Sequence, residues 1–244
     1  PAGLDLDAVP RGQPAQVASM HGSAEGAAGE SKQPDRIASF PNGDMLKPLK
    51  SVSSSDVVID VTNGDSYSAS HIKNAIHIPS REFLDDEGNL KTDGELAAVL
   101  GAAGVSRDDS VILYGSLESS GEAEFAFLVL RYLGQKDLTL LDGSLTEWNA
   151  AGLPNETEEN ILLPAEYEPI AVPGVFADYD YVNSGEAQIV DVRPFTEFGK
   201  GRIPGSIALD PSKVIKGDGI KDKEGLDTIF SRLDRDVAVV DYSD

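Results

Sequence analysis

The chain has 244 residues, 40% hydrophobic and 25% charged, which bounds it to one large or two ordinary globular domains with enough apolar content for a core. Its 42 Asp and Glu against 20 Lys and Arg give a formal net charge of -22. That excludes nucleic acid and anionic membrane surfaces as partners, because both are bound by cations that neutralise phosphate. The absence of cysteine excludes disulfides, thiolate nucleophiles, Cys-ligated zinc and covalent haem within these residues.

Residues 1–50 are rich in Gly, Ala, Ser and Pro, as in Gly22-Ser23-Ala24-Glu25-Gly26-Ala27-Ala28-Gly29. A segment with so little apolar periodicity does not bury enough to offset its ordering entropy alone, and it reads as an arm or linker. The chain opens on Pro1 rather than Met, which implies a removed secretory signal, a removed precursor segment or upstream residues outside this sequence; an exported or extracellular protein is the expectation, with a cytoplasmic one as the alternative. No apolar run approaches the ~18 residues needed to span a bilayer, so no membrane insertion is expected.

From 51 to 155 the sequence reads as one α/β unit. Val57-Val58-Ile59-Asp60-Val61, Val111-Ile112-Leu113-Tyr114 and Leu138-Thr139-Leu140-Leu141 are short continuous apolar runs, as strands buried on both faces require. Helical stretches over 94–100 and 121–133 lie between them, and the alternation predicts a parallel sheet flanked by helices. The stretch from Pro154 to Pro173 carries Pro154, Pro164, Pro169 and Pro173 together with several Glu, and residues 156–174 accordingly read as a linker. Over 175–244 the pattern restarts: strand Gln188-Ile189-Val190-Asp191-Val192, a helix over 226–233, and strand Val237-Ala238-Val239-Val240.

The restart is a repeat. Tyr67 and Phe198 each lie seven residues beyond Asp60 and Asp191, and His71-Ile72 and Arg202-Ile203 each begin eleven beyond. Four matched positions at a period of 131 residues indicate an internal duplication. Asp142 lies 82 residues after Asp60, and the same offset from Asp191 falls past Asp244. The second unit is therefore expected to be incomplete at its C-terminus as supplied. Its uncovered sheet edge then calls for either a further C-terminal segment or an unknown protein partner, and a homo-oligomer is one form of the latter.

Asp191-Val192-Arg193, Phe198 and Gly201-Arg202-Ile203-Pro204-Gly205-Ser206-Ile207 resemble the rhodanese (thiosulfate sulfurtransferase) family. Asp60-Val61-Thr62, Tyr67 and Ser70-His71-Ile72 are similar to the same pattern more loosely. Leu130-Arg131-Tyr132-Leu133-Gly134 and Leu141-Asp142-Gly143-Ser144-Leu145-Thr146-Glu147-Trp148 resemble two further signatures of that family. The resemblance implies two rhodanese-like domains, each a parallel sheet flanked by helices, with Asp60, His71, Asp142, Trp148, Asp191, Arg193 and Arg202 as structural motif residues.

The resemblance also implies a catalytic Cys directly after the central strand, at the head of a loop whose N–H groups converge on the thiolate. Here the positions read as equivalent are Gly115 and Asp241, and a register shift brings up only Ser116 or Ser243. Ser116, Ser119 and Ser120 crowd the first loop, but a serine nucleophile needs a positioned base, and only His21, His71 and His77 could supply it. Glu118 and Glu122 would repel an anionic substrate there. Asp85-Asp86-Glu87-Gly88-Asn89 and the 216–222 stretch read as acidic turns rather than calcium loops. No metal and no cofactor is expected. The reading is a catalytically silent tandem module acting in binding or structure, with two alternatives: a sulfurtransferase whose reactive Cys lies outside these residues, or a subunit of a cell-surface or extracellular assembly.

Overall fold

The computed structural model describes residues 37–116, 121–216 and 219–243. The first unit is built from strands β1 (Leu46–Lys47), β2 (Val57–Asp60), β3 (His71–Ile72), β4 (Ile76–His77), β5 (Ser110–Tyr114), β6 (Asp137–Leu141) and β7 (Asn155–Glu156). Its helices are α1 (Gly64–Ala69), α2 (Asp93–Ala102), α3 (Glu122–Tyr132) and α4 (Leu145–Ala150). Five strands form one all-parallel sheet in the order β1-β6-β5-β2-β4, while β3 and β7 pair separately and antiparallel.

The continuous apolar runs arise because the sheet is covered on both faces. Ile59, Val61, Val111 and Leu113 point into one core with Leu96 and Leu100 of α2 and Ala126, Phe127 and Leu130 of α3. Val58, Ile112 and Tyr114, the alternate positions, point into a second core with Ile72, Ala75 and Trp148. Each fully buried Leu, Ile or Val contributes roughly 1.5–3 kcal/mol relative to exposure. Helix starts are fixed by side chains: Thr92 and Glu95 form a capping box on α2, and Asn63 accepts from the Ser66 N–H at the start of α1.

Both boundaries of the first unit differ from the sequence-based expectation. The first unit begins before residue 51: Leu46 and Lys47 pair in parallel with Leu140 and Leu141, and Leu49 packs against the Trp148 core. A two-residue edge strand has no periodicity to reveal it. The first unit also takes up the connector. Asn160 donates its N–H to the Tyr67 hydroxyl, the Ala165 N–H to the Gly101 carbonyl, the Ile170 N–H to Leu133 and the Val172 N–H to Tyr132, while the Tyr167 ring is buried in the α2–α3 core.

The second unit contains α5 (Tyr179–Ser184), β8 (Gln188–Asp191), α6 (Phe195–Lys200), β9 (Ile207–Ala208), the antiparallel pair β10 (Ile215–Lys216) and β11 (Gly219–Ile220), α7 (Lys223–Ile229) and β12 (Val239–Tyr242). Its parallel sheet runs β12-β8-β9, matching β5-β2-β4 of the first. The last strand lies two residues later than the apolar run suggests. Val237 and Ala238 belong to the approach turn, where the Gln188 side chain donates to the Asp234 and Val237 carbonyls and accepts from the Asp234 N–H. Among the described residues no helix is long and apolar enough to cross a membrane.

Candidate functional site

In open parallel sheets, ligands bind beyond the carboxyl ends of the strands. There the two units repeat one polar constellation. At the end of β2 the buried Asp60 carboxylate accepts from the Thr62 N–H at 2.9 Å and the Thr62 hydroxyl at 2.6 Å through Oδ1. Its Oδ2 accepts from the Tyr114 hydroxyl at 2.5 Å, and that hydroxyl in turn accepts from the Ile72 N–H at 3.1 Å. Burial and the adjacent Asp60 charge hold the Tyr114 phenol far above its ordinary pKa, so it remains a donor.

At the end of β8 the fully buried Asp191 is held in the same way, with a cation added. The Arg193 N–H and Nε–H donate to Oδ1, both at 3.0 Å, and Nη2 to Oδ2 at 2.8 Å, while the Tyr242 hydroxyl donates to Oδ2 at 2.5 Å. Tyr242 accepts from the Ile203 N–H at 3.1 Å, and Arg193 reaches on to the Gly201 carbonyl. The Arg193 hydrogen bonds, against the effect of burial, set the Asp191 carboxyl well below its usual pKa.

Sequence reasoning missed the two tyrosines. Tyr114 faces Asp60 in register as Tyr242 faces Asp191, but 54 residues separate the first pair and 51 the second, so a constant-offset comparison of the repeats passes over them. The same register corrects one assignment. Asp241 does not follow the last strand; it lies inside β12, paired with Val190, and the residue after the strand is Ser243. Gly115 does follow β5, and the space a side chain would take there is filled: an ideal Cβ lies 3.3 Å from Val61 Cγ2 and 3.4 Å from both Cβ and N of Ala123.

The remaining motif residues are structural in their contacts. Fully buried His71 donates from Nδ1 to the Tyr67 carbonyl at 2.8 Å, and the Tyr67 ring is stacked between His71 at 3.8 Å and His77 at 4.5 Å. His77 donates from Nε2 to the Thr62 carbonyl at 2.7 Å. Asp142 begins the turn after β6, its N–H donating to Lys47. Trp148 is buried and donates to the Pro154 carbonyl at 2.9 Å. The Arg202 guanidinium lies over the Phe198 ring at 4.6 Å.

The serine-nucleophile arrangement falls largely outside the described residues, with Glu118, Ser119, Ser120 and His21 all there. Asp85 closes its own turn, accepting from the Glu87 and Asn89 N–H groups. The 216–222 stretch takes in Lys216, the last residue of β10, and β11, with residues 217 and 218 outside the described set. Among the described residues no group of three or more His, Asp or Glu is placed to hold a metal.

The model of the rhodanese-like domain matches residues 44–151 and 179–244, one segment for each unit. The chain belongs to the rhodanese family. Similar relatives include the sulfur carrier protein TtuD of Thermus thermophilus, 28% identical over 204 residues that cover 71% of each chain. The thiosulfate sulfurtransferase of Corynebacterium glutamicum is 29% identical over 205 residues, 70% of this chain and 66% of the relative. Among solved structures, the 3-mercaptopyruvate sulfurtransferase SseA of Escherichia coli has the same fold, with a TM-score of 0.73 at 21% identity over 81% of this chain and 87% of that one. A rhodanese fold with a parallel sheet in each unit is therefore established, and so is kinship with sulfurtransferases.

Proposed function

We propose that the two rhodanese-like units described here form a silent module that serves in binding or structure and does not itself carry sulfur. The observation behind this reading is the pair of residues at the loop heads. Sulfur transfer proceeds through a thiolate that attacks the donor and holds the sulfane sulfur as a persulfide. Gly115 offers no nucleophile and packs against Val61 and Ala123, and Ser243 offers a hydroxyl. His71 and His77 are both committed to backbone carbonyls within the Tyr67 stack. The test is incubation of the 244-residue chain with thiosulfate followed by cyanide. No thiocyanate above the buffer level and no gain of one sulfur in the intact mass are expected, whereas a sulfur-bearing adduct would refute the proposal.

A second reading has its own support: a sulfurtransferase whose reactive Cys lies outside these residues. The second unit keeps the full Asp191–Arg193–Tyr242 constellation that fixes the strand end from which a catalytic loop would start. The relatives named as sulfurtransferases favour the same view. Peptide mapping of the protein isolated from its source, treated with thiosulfate, separates the two readings, because a persulfide-bearing Cys peptide supports only the second. A partner strand is compatible with either. The edge of β12 that corresponds to the β6-paired edge of β5 has no strand beside it among the described residues, and Val239 there is exposed.

A further inference from the structure

Among the described residues, the buried side-chain polar atoms that meet no hydrogen-bond partner in the protein are Arg107 Nε, Gln135 Oε1 and the Tyr167 hydroxyl. All three residues belong to one junction, where the connector crosses the C-terminal ends of α2 and α3. Gln135 donates from Nε2 to the Ser106 and Asp109 carbonyls at 3.1 and 2.8 Å, which seats its amide beside the loop that carries Arg107. Arg107 donates from Nη1 to the Gly134 carbonyl at 3.5 Å and accepts through its own carbonyl from the Lys136 N–H at 3.1 Å. Tyr167 comes from the connector. Its ring is 6% exposed within the α2–α3 core, and that burial pushes its phenol above the ordinary pKa, with the charge of Arg107 acting in the opposite direction.

Unpaired buried polar groups are rare in native proteins, and a cluster of them marks a place where a small polar species completes the bonding. The donor set selects that species. Arg107 Nε–H only donates, Gln135 Oε1 only accepts, and the Tyr167 hydroxyl can do either. A cation is opposed by Arg107. An anion is opposed by Gln135 Oε1, which has no proton to give it. A water molecule satisfies every atom, accepting from Arg107 and Tyr167 and donating to Gln135, which is the usual complement of about three bonds for an internal water.

We propose that Arg107, Gln135 and Tyr167 form a binding site for one internal water molecule, which keys the connector to the first unit. The phenol is the one member supplied by the connector, so the water ties a segment with few side-chain anchors to the loop after α2 and the cap of α3.

The Tyr167→Phe variant of the 244-residue chain provides the test, because the sign of its effect differs between the alternatives. If the water is bound, losing the hydroxyl removes one of its partners and lowers Tm by about 2–4 °C. If the hydroxyl is simply orphaned, removing it from apolar surroundings leaves Tm unchanged or raises it, and the proposal fails. A high-resolution crystal structure of the unsubstituted chain is the second measurement. Density for a water within hydrogen-bonding distance of at least two of the three atoms supports the site, and a junction closed by direct side-chain contacts overturns it.

Discussion

Asp60 and Asp191 occupy the same place in the two repeats and are held differently. Thr62 and Tyr114 hold Asp60 by neutral hydrogen bonds, whereas Arg193 adds a cation at Asp191. Tyr114→Phe leaves the buried Asp60 one donor short and should destabilise the first unit by about 1–3 kcal/mol in urea unfolding. For Asp191 the consequence concerns pH. Its folded carboxyl binds a proton only well below its ordinary value of 3.8, so the interaction stabilises the fold fully at pH above about 4 and is lost progressively as pH falls from there towards the lowered folded value. Arg193→Met removes most of the depression, and acid unfolding followed by circular dichroism should then move to higher pH. Gly115→Cys asks whether a thiol alone restores chemistry. The Val61 and Ala123 contacts predict a cost of about 1–3 kcal/mol. They also predict a thiol that reacts with an aromatic disulfide reagent far more slowly in the native than in the unfolded chain. Asp60 was legible in the sequence because an Asp recurs at the same place in the second repeat, His71 because Arg202 shares its offset, and Trp148 only through the family signature that it ends. Tyr114, Tyr242 and Asn160 were not, since each acts through a contact whose partner lies far along the chain.

The connector shows where element-level reading stops. Its Pro and Glu content describes a linker correctly as a composition, yet the backbone lies against glycines on the first unit. At Gly134, with φ of +78°, a Cβ would stand 2.6 Å from the Ile170 carbonyl oxygen, and at Gly104, with φ of +84°, 2.4 Å from Leu162 Cβ. Both glycines serve twice, turning the chain after a helix in the left-handed region and leaving room for the connector. Gly134→Ala should therefore cost about 2 kcal/mol or more, combining backbone strain with the collision, and should speed proteolysis within 157–173. In the sequence Gly134 reads only as the end of the Leu130-Arg131-Tyr132-Leu133-Gly134 signature. The long strands and helices of both units were legible because their apolar runs answer to a sheet covered on both faces. The end of β12 was not, since an apolar run marks a strand without fixing its register, and the pairing of Tyr242 with Asp191 moved it by two residues.

For the whole molecule, duplication is the feature most plainly written in the sequence, and the matched segments 44–151 and 179–244 follow it. The charge of -22 acts at the same scale, because like charges distributed over a folded surface repel more than they do along an expanded chain. Raising NaCl from about 10 mM to about 500 mM shortens the screening length from roughly 30 Å to less than 8 Å, and Tm should rise across that range. A falling Tm would mean that attractive pairs such as Lys136–Asp108 and Arg235–Asp227 outweigh the net repulsion. The docked connector has a further consequence during synthesis. Asn160 bonds to Tyr67 across 93 residues, and Val172 closes on Tyr132, so the first unit is not finished when its last helix, α4, has been translated. A chain emerging at about 5–20 residues per second exposes an open α2–α3 core for the further second or more in which the connector is made. The ribosome, rather than the sheet, thus sets the moment at which the first unit can close, and that interval is when a nascent chain is most open to chaperones.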